Sequence, residues 1–249
     1  MANKYFDPGE QRSAKVSDLF ARIASRYDLI NDLQSFGLHR WWKRRVVQMA
    51  EVQCGQRALD LCCGTGDVAF ALARKGAEVV GVDFSEPMLE VARQRLKLQT
   101  SNFKLQTLVR FLPGDAQQIP FPDHSFDAVT ISYGLRNLAD WQRGLSEMWR
   151  VTKPGGCVLV LDFGKPPNDA LRKLYFAYLR LLVPVLGKLL CGDKAAYAYI
   201  LESLKIYPAQ QGVAEKMRQM GFADVRIENI LGGIMSINYG RRPKGENDE

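Results

Sequence analysis

Short apolar runs and stretches of helical spacing alternate along most of this chain. Ala58–Leu61, Ala77–Asp83, Val109–Leu112, Phe126–Ser132 and Cys157–Phe163 have the length and the Val, Ile and Leu content of buried strands. A helix running to about Arg74 is predicted after the first. A second, carrying Met88, Leu89, Val91 and Leu96, is opened by Ser85 as N-cap with Pro87 in its first turn. Trp141–Val151 reads as another helix, closed by Lys153-Pro154-Gly155-Gly156. Strands alternating with helices predict an α/β fold, a mostly parallel sheet with helices on both faces. A helix from about Gly212 to Met220 precedes two strands, near 224–230 and 234–239, which turn through Gly232-Gly233 and bring the sheet to seven strands.

Two regions stand outside this rhythm. Before the first strand, Val16, Leu19, Phe20 and Ile23 recur at helical spacing, and an amphipathic helix is expected from Ser35 to about Met49. Residues 1–50 therefore predict an N-terminal helical flap, for which packing on the core and folding over a ligand are compatible roles. Residues 165–210 predict a helical insertion between the 55–163 core and the closing 211–240 helix and hairpin. Its apolar runs, Leu174–Leu179 and Leu181–Leu186, are interrupted by Arg180, Pro184 and Lys188, so a spanning helix is not expected. The whole chain, 1–249, reads as one domain.

The stretch Asp60-Leu61-Cys62-Cys63-Gly64-Thr65-Gly66-Asp67-Val68-Ala69 carries the first chemical signal. Its glycines, between a strand and a helix, let a ligand approach the backbone. The spacing also fits a dinucleotide site. A pyrophosphate on a helix N-terminus, however, is disfavoured beside the carboxylate of Asp67. Asp60 and Asp67 suit a ligand bearing an ammonium and a sulfonium, and S-adenosylmethionine is such a ligand. Asp83, ending the second strand, is placed to accept both ribose hydroxyls, and Phe84 follows it. Asp115, after the third strand, is placed to accept from an adenine amino group. Gly64, Asp83, Asp115 and Ser132 all fall at strand C-termini, where open α/β sheets bind ligands.

Composition narrows the partners. The five cysteines, Cys54, Cys62, Cys63, Cys157 and Cys191, lack metal-ligand spacing and predict reduced thiols in a cytoplasmic protein without a metal. No apolar N-terminal segment follows basic residues, so no secretory signal is expected. The net charge of +7 is concentrated outside the core. Residues 12–45 hold eight basic and three acidic side chains, and 165–194 hold six and two. Basic residues flanking the apolar 165–194 segment favour an anionic membrane surface, or the segment is a buried lid. Monomer and homo-oligomer remain equally open.

In order, Asp60…Gly64-x-Gly66, Asp83, Asp115 and Lys153-Pro154-Gly155-Gly156 resemble class I S-adenosylmethionine-dependent methyltransferases over residues 55–163. Tyr27-Asp28…Asn31-Asp32…Ser35-Phe36-Gly37…His39-Arg40…Trp42-Lys43 and Ile131-Ser132-Tyr133-Gly134-Leu135-Arg136-Asn137 are similar to signatures of the C-methyltransferases of menaquinone and ubiquinone biosynthesis. That resemblance extends to about Arg241; Cys62-Cys63, Gln34 and Trp41 depart from it. It implies methylation of a ring carbon of a prenylated quinol, most directly demethylmenaquinol, with a benzoquinol or demethylphylloquinol as alternatives. It also implies cofactor contacts from Thr65, Asp83, Asp115, Ala116 and Ser132, beside Gly64 and Gly66.

Methyl transfer to carbon needs an electron-rich ring, hence the reduced quinol with a hydroxyl proton removed. Arg136, always protonated, is the candidate to stabilise the resulting oxyanion, against the alternative of a surface salt bridge. Asn137 would orient the hydroxyl or a water that takes the proton. Tyr27, His39 and Tyr133 are candidates for lining the substrate; for His39 a capping or surface position is equally expected. Three other readings compete, the last a non-catalytic binding protein, which lack of turnover with any quinol would favour. A nicotinamide oxidoreductase would have to tolerate Asp60 and Asp67 near a pyrophosphate. An RNA methyltransferase is disfavoured by Ser132-Tyr133-Gly134-Leu135-Arg136-Asn137, which lacks the Pro-Pro-aromatic pattern of amino-group methylation, and no nucleic-acid partner is expected.

Overall fold

The computed structural model describes residues 31–32, 35–98, 103–181, 185 and 195–245. Strands β1 (Arg57–Leu61), β2 (Glu78–Asp83), β3 (Val109–Pro113), β4 (Phe126–Ser132), β5 (Thr152–Phe163), β6 (Ala223–Ile230) and β7 (Met235–Arg241) form one seven-stranded sheet in the order β3-β2-β1-β4-β5-β7-β6. The first five run parallel, and β7 pairs antiparallel with both β5 and β6. The order reverses direction between β1 and β4, which opens a crevice at the carboxyl ends of those strands.

Period-two alternation divides the core into two layers. Leu59, Leu61, Val80, Val82, Val129, Ile131, Val158 and Val160 face one side. There they meet α5 (Trp141–Val151), α6 (Asp169–Leu181), α7 (Ala195–Ile206) and α8 (Ala209–Gln219). Ala58, Val79, Ala128, Cys157, Leu159 and Leu161 face the other. That side is covered by α1 (Leu38–Ala50), α2 (Asp67–Ala73), α3 (Glu86–Leu98) and the short α4 (Phe103–Leu108). Helices on both faces, the seven strands and the closing hairpin are as the patterning predicts.

Local differences have physical causes. The hydroxyl of Ser85 does not cap α3: it is buried with no hydrogen-bond partner among the described residues, and the Ser85 N–H is taken by Asp83 Oδ1 at 2.9 Å. Lys153-Pro154-Gly155-Gly156 lies within β5, at a register irregularity against β4, with Gly155 in the left-handed region. α4 and the early start of α8 at Ala209 were not anticipated. The helix expected over 12–26, Tyr27 itself, and residues 186–194 lie outside the described residues.

The flap helix α1 is anchored at both ends of its inner face. Val46, Val47 and Ala50 are buried on the α2 side of the sheet, and Arg45 makes a two-pronged ion pair with Glu228 of β6, both contacts at 2.7 Å. α1 is thus packed on the core, the first of the two roles expected for it.

Candidate active site

The turn after β1 is held by main-chain demands. Cys63 N–H donates to Val82 O at 3.1 Å, and Gly64 N–H donates to Asp83 Oδ2 at 2.8 Å. Gly66 has φ 89°, and a Cβ there would lie 2.8 Å from the Phe111 ring, so only glycine lets α2 begin so close to the sheet. Asp83 also accepts from the Ser85 and Phe84 N–H groups. Burial nonetheless raises its pKa, against those donors. One carboxylate therefore ties the first glycine turn to the end of the second strand. Phe84, beside it, is exposed.

Asp60 sits one residue before the end of β1, on the α2 face. Its Oδ1 accepts from Thr130 Oγ1 at 2.8 Å and a backbone N–H reaches it from Ala69. Its Oδ2 is buried with no partner among the described residues. Burial pushes its pKa up to about 7, opposed by Thr130 and by the charge of Lys43. Asp67 differs. Lys43 Nζ lies 2.8 Å from its Oδ2 and Arg95 Nη2 2.8 Å from its Oδ1, while Arg95 Nη1 donates to the buried Thr65's carbonyl at 2.9 Å. Although burial opposes it, these two cations hold Asp67 well below the usual carboxylate range. Both oxygens of Asp67 thus face protein cations, so the acid bolts the glycine turn to α1 and α3 instead of offering a free carboxylate to a ligand.

At the third strand, Asp115 Oδ1 accepts from Gln117 N–H at 2.8 Å, and Ala116 is buried beside it. At the fourth, Ser132 Oγ is buried without a partner among the described residues. Tyr133 follows in the left-handed region, φ 61°, with its N–H on Leu161 O at 2.7 Å. A Cβ on Gly134 would come within 2.6 Å of the Cys62 side chain, so this glycine lets the β4 turn lie against the β1 turn. The two turns the sequence reading singled out are therefore in contact.

The short 3-10 turn Leu135–Asn137 delivers Arg136 inward. The surface position weighed for it is not found: its side chain is 2% exposed. Arg136 Nη1 donates to Asp162 Oδ1 at 2.6 Å and to Tyr133 O at 2.8 Å, and its own N–H donates to Asp162 Oδ2 at 3.1 Å. The guanidinium carbon stands 4.7 Å from the centroid of Phe163. Asn137 Nδ2 donates to Tyr133 O at 3.0 Å, which leaves its buried Oδ1 as an acceptor with no partner among the described residues. His39 is buried, contrary to a surface position. Its Nε2 meets Asp32 Oδ1 at 2.8 Å, and burial lowers its pKa in spite of that acid.

Sequence reasoning gave no site role to Lys43, Arg95 or Asp162. Asp162 had a signal: it follows the apolar run Val158–Leu161 near a strand end, the same position that singled out Asp83. Lys43 and Arg95 lie in helices among many basic residues, and only the fold brings them to Asp67.

The sequence model of the ubiE/COQ5 methyltransferase family matches residues 9–242. The chain belongs to that family. It is 39% identical to a demethylmenaquinone methyltransferase of Desulfitobacterium hafniense over 239 residues, covering 95% of this chain and 93% of that one. It is 40% identical over 239 residues to the ubiquinone/menaquinone biosynthesis C-methyltransferase UbiE of Azotobacter vinelandii, with the same coverage. Among solved structures, a SAM-dependent methyltransferase from Thermotoga maritima matches with TM-score 0.63 at 20% identity, covering 90% of this chain and 99% of that one. One from Aquifex aeolicus matches with TM-score 0.59 at 19% identity, covering 95% and 98%. At such identities the structures speak for the fold, a class I methyltransferase sheet. S-adenosylmethionine is the cofactor of this family, and the residues fit it. Asp60 Oδ2 and the orphaned hydroxyls of Ser85 and Ser132 need polar partners that the described residues do not supply.

The state of Asp60 yields a pH test. A buried acid whose pKa rises from 3.8 to about 7 keeps a proton that the unfolded chain has lost. Its ionisation therefore destabilises the ligand-free fold as pH rises from about 4 to 7, by on the order of 4 kcal/mol once complete. A cationic ammonium at Oδ2 would favour the ionised form. S-adenosylmethionine affinity should accordingly strengthen as pH rises through about 7, and Asp60→Asn should flatten both trends. Calorimetric titration and thermal unfolding across pH 5.5 to 8.5 check this; equal slopes in both proteins would remove Asp60 from the site.

Proposed function

We propose that this chain methylates a ring carbon of a prenylated quinol, demethylmenaquinol first among the candidates. The observation that carries the reading is the buried Arg136, paired with Asp162 and set beside Asn137 at the end of β4, next to the glycine turn. When bound, S-adenosylmethionine supplies an electrophilic methyl group whose departing bond pair stays on sulfur. The chain's task is to make the acceptor carbon nucleophilic and hold it in line.

A fixed guanidinium in a dry environment stabilises a quinolate oxygen far more than it would in water. Asp162 holds the guanidinium in place, so that its charge stands fixed at the end of β4. The proton from the quinol hydroxyl passes to water positioned by Asn137 Oδ1, because Arg136 does not give up its own. Ring electron density of the quinolate, at the carbon ortho to its oxygen, then forms the new carbon–methyl bond, and that carbon's hydrogen leaves as a proton to water, its bond pair restoring aromaticity. Tyr133, whose ring lies 5.9 Å from Phe163, and the aromatic faces about Arg136 suit a flat ring. Both relatives' names include menaquinone and one adds ubiquinone, which puts a naphthoquinol ahead of a benzoquinol as the substrate.

Peripheral attachment to an anionic membrane completes the proposal. α6 leaves Leu174 and Leu181 well exposed beside Lys173 and Arg180, and Val185 is exposed just beyond it. Among the described residues no helix is long and apolar enough to cross a membrane, so these side chains would dip into one leaflet.

Three outcomes test this reading. With labelled cofactor, methyl transfer should occur to a reduced prenylated naphthoquinol or benzoquinol and not to the oxidised quinone; equal labelling of both forms would sink it. Arg136→Ala alone is a poor probe, since it strands Asp162 as an unpaired buried charge at a cost of roughly 3–5 kcal/mol. Arg136→Gln combined with Asp162→Asn should instead fold and bind cofactor, yet turn over roughly a hundred- to a thousand-fold more slowly. Normal turnover would make the ion pair structural only. Sedimentation should show the protein pelleting with anionic vesicles at low salt and releasing as salt rises. No lipid-dependent pelleting would leave α6 as a lid.

A further inference from the structure

We propose that Tyr175 donates a hydrogen bond to the quinol oxygen on which negative charge builds, so that the lid helix α6 takes part in the chemistry at Arg136. The proposal rests on the quinol-methylation reading above and adds a catalytic residue to it.

α6 buries two side chains, Tyr175 and Leu179, one turn apart. Tyr175 is 4% exposed and belongs to the same apolar cluster as Leu135 and Leu138, which bracket Arg136 and Asn137. Ile200, Leu204 and Tyr207 close the cluster from the α7 side. The ring is therefore fully accounted for by packing. Its hydroxyl is not. That oxygen is buried and has no hydrogen-bond partner among the described residues.

A phenylalanine at this position would bury the same ring without stranding a polar atom, a loss that costs folding free energy wherever no partner replaces water. An unpaired buried hydroxyl that stability does not explain points to a partner arriving from outside the chain. Leu135 and Leu138, on either side of Arg136 and Asn137, belong to the cluster that buries the ring, and the charges of Arg136 and Asp162 bear on the phenol. Burial, the largest influence, and the Asp162 charge together hold the phenol well above its ordinary range, against the pull of Arg136. Tyr175 therefore stays protonated and acts as a donor, not as a base.

Two more orphaned atoms lie on the adjoining β4 turn, Asn137 Oδ1 and Ser132 Oγ. Tyr175 offers a donor, Arg136 a cation and Asn137 Oδ1 an acceptor. That set complements a ring hydroxyl in the act of losing its proton: the acceptor holds the water that takes it, and the two donors meet the oxygen left behind. Tyr175 keeps its own proton throughout, and no bond to it forms or breaks.

The test is Tyr175→Phe in the full chain, with Tyr178→Phe, half-buried on the same helix, as the control. Three quantities are measured: the unfolding midpoint, S-adenosylmethionine affinity by calorimetry, and kcat on a reduced prenylated quinol with labelled cofactor. The expected result for Tyr175→Phe is an unchanged or higher midpoint, unchanged affinity, and a kcat lower by roughly a hundred-fold, with Tyr178→Phe near wild type throughout. Wild-type kcat in Tyr175→Phe, on a quinol that the parent protein methylates, overturns the role of Tyr175 and leaves the quinol reading standing. A lowered midpoint with full turnover makes the hydroxyl structural and also overturns it. A parent protein inert on every reduced quinol overturns the functional reading, and this proposal with it.

Discussion

Arg136 keeps its charge out of water because Asp162, from the neighbouring strand, lies 2.6 Å away. Much else at the carboxyl edge of the sheet follows the same constraint. A charge or polar atom at a dry strand end must find its partner in the turn of an adjacent strand, in a helix from a distant part of the chain, or in a ligand. Asp83 finds the N–H groups of Gly64, Phe84 and Ser85. Asp67 finds Lys43 and Arg95. Asp60 Oδ2, Ser85 Oγ, Ser132 Oγ and Asn137 Oδ1 find nothing among the described residues, and the proposed reading assigns them to a bound cofactor and substrate.

The two flanking regions use this constraint in different ways. α1 reaches the glycine turn through Lys43 and the far edge of the sheet through Arg45, so its placement and the shape of the cofactor turn are one problem. Lys165, just past β5, donates its Nζ to Tyr207 O at 2.7 Å, while its backbone N–H and carbonyl are both held by Gln210. These bonds fix where the chain leaves the sheet edge and where it returns. Between those anchors α6 turns Tyr175 inward and Leu174 and Leu181 outward. On the reading proposed above, one helix has a face for the reaction and a face for a lipid surface.

Most of the fold was legible in the sequence because strand length and hydrophobic spacing are local properties. Phe126–Ser132 and Trp141–Val151 were bounded correctly to the residue, and the Gly232-Gly233 turn joins the two closing strands as expected. What escaped is what depends on contacts between distant segments. The sequence placed Asp67 at a helix start, yet nothing local told that a lysine 24 residues earlier and an arginine 28 residues later would claim it. Arg136 was legible as a residue of the β4 turn but not as a buried one, because its partner lies 26 residues on. Ser85 has the composition of a cap, yet its hydroxyl is buried without a partner among the described residues and its N–H goes to Asp83.

The central claim is that a carbon of a reduced ring, made nucleophilic beside Arg136, is the methyl acceptor. Its most direct test is to supply isotope-labelled S-adenosylmethionine and a reduced prenylated quinol, then locate the label in the product by nuclear magnetic resonance. The account predicts a methyl bonded to a ring carbon ortho to a hydroxyl. A methyl on oxygen would contradict it.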